Sequence, residues 1–324
     1  MKAQKAFGIA SAMVLLVAST YGQAFSPYYS VVNGGPSGYA GDDVLGAPSP
    51  PVNPVPASIF LQGSVLGYEV DAISGNQHYG EEWVFSVDIT SVGLPGTAVN
   101  LEAAGGDQPA DIYVGGFGLN NLTWDGNGLP NPLTGGTLGL LEPGSVPGGD
   151  DIDGLEVHGF ADNAVTQPLG QGAIYYSLSQ ASAGGIGFDG ATLFMSSAVN
   201  NYDVAPFMPY ATAGMLGLLA GGQDDIDAAV VYDNDLDGMW SAGDVVDFSL
   251  TPGSATLAGM GASAADVLRT GFGSGPVVFV SAGALGLLTT DNLDALDMIP
   301  EPSTIALIGI SALGLLIRKR LMPY

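Results

Sequence analysis

One four-residue phrase, Leu-Gly-Leu-Leu, recurs three times and limits the architectures open to this chain. Leu138-Gly139-Leu140-Leu141 returns as Leu216-Gly217-Leu218-Leu219 and as Leu285-Gly286-Leu287-Leu288. An acidic box follows each copy: Asp150-Asp151-Ile152-Asp153, Asp224-Asp225-Ile226-Asp227 and Asp291-Asn292-Leu293-Asp294. The boxes start roughly 70 residues apart, a period that marks repeated supersecondary units.

Each box opens onto a run of β-forming residues: Leu155-Glu156-Val157, then Ala229-Val230-Val231-Tyr232, then Ala295-Leu296-Asp297-Met298. Gly67-Tyr68-Glu69-Val70 matches Gly154-Leu155-Glu156-Val157 and reads as an earlier copy of this strand without its acidic box. Second strands follow around Trp83, Ile174 and Val245, third strands at Ala110-Asp111-Ile112, Ala191-Thr192-Leu193 and Ala265-Asp266-Val267, and a fourth apolar segment precedes each Leu-Gly-Leu. The pattern predicts an all-β fold of about three pseudo-repeats, each of four short strands joined by turns. The strand after Asp291 starts a fourth unit without finishing it. Returning it to the first unit's sheet would close a ring as in a propeller, with a barrel or sandwich as the alternative, since propeller blades usually number four or more.

Leu-Gly-Leu-Leu and the box isoleucines are expected in the core, as an apolar strand end and one buried residue per repeat. The box aspartates read first as turn residues, because Asp bonds its own backbone in tight turns. Metal binding is the alternative.

The 50 glycines and 21 prolines sit in a chain that is also 47% hydrophobic and only 12% charged, which suits a turn-rich β protein better than a disordered one. There is no cysteine, so stability must come from the core or from metal. Of six basic residues, Lys2, Lys5, Arg318, Lys319 and Arg320 lie in the terminal segments, which leaves Arg269 alone between them in a chain of 32 acidic residues. That balance excludes nucleic acid as a partner. Carboxylates without cations must be solvated, or neutralised by divalent ions or a cationic partner.

Residues 25–58 carry many prolines, including Pro48-Ser49-Pro50-Pro51-Val52-Asn53-Pro54-Val55-Pro56. They read as an extended leader or linker with no core of its own, partly polyproline II. Residues 59–298 form the acidic repetitive all-β domain.

The two ends read as targeting segments. Lys2 and Lys5 precede an apolar run over residues 7–17, and Gly22-Gln23-Ala24 offers the small residues a signal peptidase reads, so residues 1–24 are expected to leave by cleavage after Ala24. Residues 299–324 have three parts: Pro300-Glu301-Pro302, an uncharged run over 303–317, and the basic cluster Arg318, Lys319 and Arg320. The prolines keep the backbone extended for a processing enzyme. The apolar run is a short membrane span, and the basic cluster holds its end on the cytoplasmic side. This tail closely resembles the PEP-CTERM sorting signal. The resemblance implies recognition and cutting by an exosortase, transient anchoring in the inner membrane, and delivery to the surface or extracellular matrix of a Gram-negative bacterium that makes exopolysaccharide.

One stretch carries metal-ligand spacing. In Asp233-Asn234-Asp235-Leu236-Asp237-Gly238-Met239-Trp240-Ser241-Ala242-Gly243-Asp244, carboxylates fall at positions 1, 3 and 5, glycine at 6 and a carboxylate at 12. Over these 12 residues it resembles an EF-hand calcium loop, which implies Ca²⁺ held by Asp233, Asp235, Asp237, the Met239 carbonyl, Ser241 through a water, and Asp244. Position 12 is aspartate where the usual residue is glutamate. The flanks are β-branched and aromatic, so the expected setting is an ion clamp in a β-hairpin and not a helix pair.

Catalytic patterns are scarce: there is no Gly-x-Ser-x-Gly, no cysteine nucleophile and no His-Glu-x-x-His. His78 and His158 stand far apart without ligand neighbours. Glu81 and Glu82 beside Trp83 would point to opposite faces of a strand and so form no acid pair. The reading is a non-enzymatic, structural or adhesive surface protein associated with exopolysaccharide or another surface glycan. The alternatives are a glycan-acting enzyme and a carbohydrate-binding module using Trp83, Trp124 or Trp240.

Overall fold

The structure, a computed structural model, describes residues 25–32, 35–46, 58–61, 69–75, 83–116, 119–126, 138–140, 150–158, 173–197, 207–235 and 237–300. Residues Pro27–Asp297 form one compact unit. Of the terminal residues grouped apart from it, only 25–26 and 298–300 are described.

The fold is all-β with a few short helices, and the described residues form four four-stranded sheets where three repeats were expected. Three sheets are consecutive in the chain. They are β4 (Val70–Gly75), β5 (Trp83–Val87), β6 (Ile112–Gly116) and β7 (Leu119–Trp124); then β8 (Ile152–His158), β9 (Ala173–Leu178), β10 (Leu193–Ser197) and β11 (Met208–Ala211); then β12 (Ile226–Tyr232), β13 (Val245–Leu250), β14 (Val267–Gly271) and β15 (Val277–Val280). The fourth joins β16 (Leu293–Pro300) to β1 (Phe25–Val31), β2 (Val44–Gly46) and β3 (Ser58–Leu61). The arrangement is four-bladed and propeller-like, with one blade shared between the two ends of the chain.

The expectation of a coreless leader over 25–58 is therefore corrected. Tyr29, Val31, Val44 and Leu45 are fully buried. The unfinished strand after Asp291 closes a sheet built from this segment, not the sheet of the first predicted unit. The proline run over 48–56 lies outside the described residues, as do the signal segment with Ala24, the apolar run 303–317, and Glu301, Pro302, Arg318, Lys319 and Arg320. Pro300 ends β16. Among the described residues no helix is long and apolar enough to cross a membrane.

The core lies between the sheets. Successive residues of β9 enter different clusters: Ala173 and Tyr175 pack with Val231, Val246 and Phe248, whereas Ile174, Tyr176 and Leu178 pack with Val84, Ile112 and Trp124. A strand buried on both faces shows a continuous apolar run in place of alternation. The pairing of β1–β2 with the β4–β6 sheet repeats this through Val44, Ile73, Phe85 and Tyr113.

The four sheets share one corner bond. The residue after each second strand donates its N–H to the carbonyl just before the innermost strand: Asp88 to Glu69, Ser179 to Asp151, Thr251 to Asp225 and Val32 to Asn292, at 3.0–3.1 Å. This equivalence corrects the alignment of the first repeat. Glu69-Val70-Asp71, not Gly67 to Val70 against Gly154 to Val157, is the counterpart of Asp151-Ile152-Asp153, so that unit does carry an acidic box.

The leucines at the first and third positions of Leu-Gly-Leu-Leu are core, as expected, whereas the fourth is exposed at Leu219 and Leu288; in two copies the phrase is the end of a one-turn helix and not of a strand. Ala213–Leu216 and Ala282–Leu285 are capped by Gly217 (φ 75°) and Gly286 (φ 83°), a left-handed cap that glycine accepts without a Cβ clash. Leu216 and Leu285 are fully buried.

Candidate functional site

The connection between β12 and β13 brings three of the expected ligands together. Oxygens of Asp233, Asp235 and Asp237 lie within 4.8 Å of one another, with Asp233 buried and the other two exposed. Asp233 is held from below: Tyr175 Oη donates to its Oδ2 at 2.7 Å and the Gly238 N–H at 2.8 Å, while the Asp237 N–H reaches Oδ1 at 3.3 Å. Gly238 at position 6 has φ 71°, and a Cβ there would sit 2.8 Å from Met195 Cε. The left-handed φ is what calls for glycine at the bend, since the flexible methionine end could shift aside.

The second half of the loop is built differently. Asp244 turns both oxygens to the protein, accepting from Asn234 N at 3.1 Å, Ser241 N at 2.7 Å and Tyr210 Oη at 3.2 Å. It closes the loop and does not join the three gathered carboxylates, the role position 12 would have in an EF-hand. Ser241 Oγ donates to Asp235 Oδ2 at 3.2 Å, which places it beside the cluster. The Met239 N–H donates to Asp237 Oδ1 at 2.8 Å and its side chain is exposed. Leu236 lies outside the described residues. The flanks are strands β12 and β13, paired from Tyr232–Val245 onward, so the hairpin setting stands.

The acidic boxes divide into two jobs. In two boxes the first aspartate binds the Leu-Gly-Leu-Leu turn: Asp224 accepts from Leu219 N at 2.7 Å and Thr256 N at 2.9 Å, and Asp291 from Leu288 N at 2.8 Å and Ser37 N at 2.9 Å. This is the turn chemistry read from the sequence. The last aspartates do something else. Asp71, Asp153, Asp227 and Asp294 are each the second residue of an innermost strand. In β4, β8 and β12 the pairing ladder skips that residue, passing from Val70 to Ala72, Ile152 to Gly154 and Ile226 to Ala228. A bulge frees a side chain from the alternation of the strand and re-aims it.

The result is a buried cluster of like charge. Oxygens of Asp71, Asp151 and Asp153 lie within 4.8 Å of one another. Asp71, Asp153, Asp227 and Asp294 are 6–8% exposed. Burial first, and neighbouring carboxylates second, hold the carboxyls of Asp71, Asp153 and Asp294 well above the usual range. Asp151 and Asp227 are pushed up to about 7, chiefly by burial. Periodicity exposed three of these boxes; their shared orientation depends on the bulges, which leave no compositional trace.

Trp124 is fully buried and Trp240 is 6% exposed, so neither ring offers a sugar platform; Trp83 is half-buried with Tyr28 edge-on at 5.4 Å. His158 lies 3.6 Å from Glu156 and edge-on to Tyr175. His78, Glu81 and Glu82 lie outside the described residues.

From the end of the last strand onward, residues 299–320 match the family model of the PEP-CTERM protein-sorting motif. The chain carries a PEP-CTERM sorting signal. The match spans Pro300-Glu301-Pro302 and ends at Arg320, and it bears on delivery, not on the β domain. A PEP-CTERM signal implies processing by an exosortase and export to the cell envelope or surface of a Gram-negative bacterium. Neither the curated proteins nor the solved structures include a match to this PEP-CTERM chain.

Proposed function

We propose that this is a non-enzymatic structural or adhesive protein of the cell surface, released into the exopolysaccharide layer after signal peptidase and exosortase remove its two ends. Calcium held by Asp233, Asp235 and Asp237, with Ser241 beside them, would brace the β12–β13 hairpin. The observation that carries the reading is the sorting motif over 299–320, set behind a body whose carboxylates far outnumber its single arginine. Such a body suits a hydrated anionic matrix in which divalent ions bridge carboxylates and acidic glycans. Burial of Trp124 and Trp240 weighs against the carbohydrate-binding alternative.

The test is mass spectrometry of the surface-released protein together with its fractionation. The expected mature form lacks residues 1–24 and Arg318 to Arg320, and it leaves the exopolysaccharide fraction when calcium is chelated, without depolymerising the glycan. Retention of the basic tail would sink the sorting step; release of sugar fragments would favour a glycan-acting enzyme.

A further inference from the structure

We propose a second divalent-cation site, on the axis where the four sheets meet, formed by Asp71, Asp153, Asp227 and Asp294 with Asp151 beside them. Each sheet supplies one aspartate from the same place, the second residue of its innermost strand, and three of the four stand at bulges. Oxygens from Asp71, Asp151 and Asp153 already lie within 4.8 Å of one another, the scale on which one ion gathers several ligands at roughly 2.3–2.6 Å each.

An independent observation points to a missing partner. Asp227 is 8% exposed, and although the Asn292 amide lies beside its carboxylate, its Oδ2 has no hydrogen-bond donor. A buried carboxylate oxygen without a donor bears its full desolvation penalty, and such groups in native folds usually face an ion or water. No side-chain cation is available: Arg269, the one basic residue between the terminal segments, is forked onto Asp247. The donors are carboxylate oxygens throughout, which selects a hard cation of the calcium class over zinc or copper. An ion there would fasten the innermost strands of all four sheets, including β16, to one another. The inference does not need the 233–237 loop to bind anything.

The test uses calcium alone on the metal-stripped full-length chain at about 0.15 M salt, where diffuse counterion binding is screened. Asp235→Ala with Asp237→Ala silences the loop. This loop-silenced chain is expected to retain roughly one calcium in equilibrium dialysis, with a thermal midpoint that rises on calcium addition. Adding Asp71→Asn and Asp153→Asn should weaken that binding about tenfold or more and abolish the calcium-dependent rise. The same change should raise the midpoint in chelator, because two like charges are gone. A loop-silenced chain that binds no calcium, or an axial variant whose calcium response is unchanged, overturns the site. Should the axial variant fail to fold, the stoichiometry of the loop-silenced chain decides alone. A loop-silenced chain that binds as much calcium as the parent would count against the hairpin clamp and leave the axial site standing.

Discussion

Arg269 shows how tightly single residues are constrained in a body with so little positive charge. Its Nε and Nη2 each lie 2.6 Å from an oxygen of Asp247, which is fully buried, and its guanidinium covers the Phe279 ring at 3.3 Å. Burial raises the Asp247 carboxyl above its ordinary range even against the arginine and the neighbouring Tyr232 hydroxyl, so the carboxylate depends heavily on its one cation. Removing the cation alone strands a buried charge. Arg269→Met is therefore expected to cost about 3–5 kcal/mol in urea unfolding, and Arg269→Met with Asp247→Leu to recover most of the loss, since both halves of a buried pair leave together. A double variant as unstable as the single one would show that the ring contact with Phe279, not the charge, carries the stability.

At the level of the element, the bulges at Asp71, Asp153 and Asp227 go with a close approach of neighbouring inner strands. Gly154 follows the β8 bulge, and a Cβ there would lie 2.6 Å from Ser177 Oγ and 2.8 Å from the backbone nitrogen of Ala229 on β12. The backbone atom cannot give way without moving the strand. Gly154→Ala should cost about 1–3 kcal/mol by overpacking, measured as a shift of the denaturation midpoint. An unshifted midpoint would mean that β8 and β12 are free to part. The innermost strands are tied in other ways too: Ser74 Oγ accepts from Val157 N at 3.1 Å, and Ser249 Oγ donates to the Leu293 carbonyl at 3.0 Å.

Across the whole molecule, the axial carboxylates make stability depend on pH in an unusual direction. Asp151 and Asp227 are pushed up to about 7 and Asp225 to about 6, in each case chiefly by burial. In the unfolded chain these groups release their protons near about 3.9. Between roughly pH 4 and 7 the folded state thus holds more protons than the unfolded one, and stability falls as pH rises. In chelator, the urea midpoint is expected to drop steadily across that window. A flat profile would show that the cluster is solvated and not buried.

The repeat, the all-β class, the sorting tail and the hairpin loop were legible in the residues, because each depends on local composition or fixed spacing. The first sheet was not, although Tyr28-Tyr29-Ser30-Val31 parallels Tyr175-Tyr176-Ser177-Leu178 and Asp43-Val44-Leu45 parallels Asp266-Val267-Leu268. Its innermost strand comes from the far end of the chain, and no local pattern announces a pairing between residues near 28 and near 295. The same holds for the acidic boxes. Sequence alone establishes that aspartates recur; only closure of the four sheets, with a bulge at the same place in at least three of them, turns those aspartates toward one axis and makes their charges a single problem.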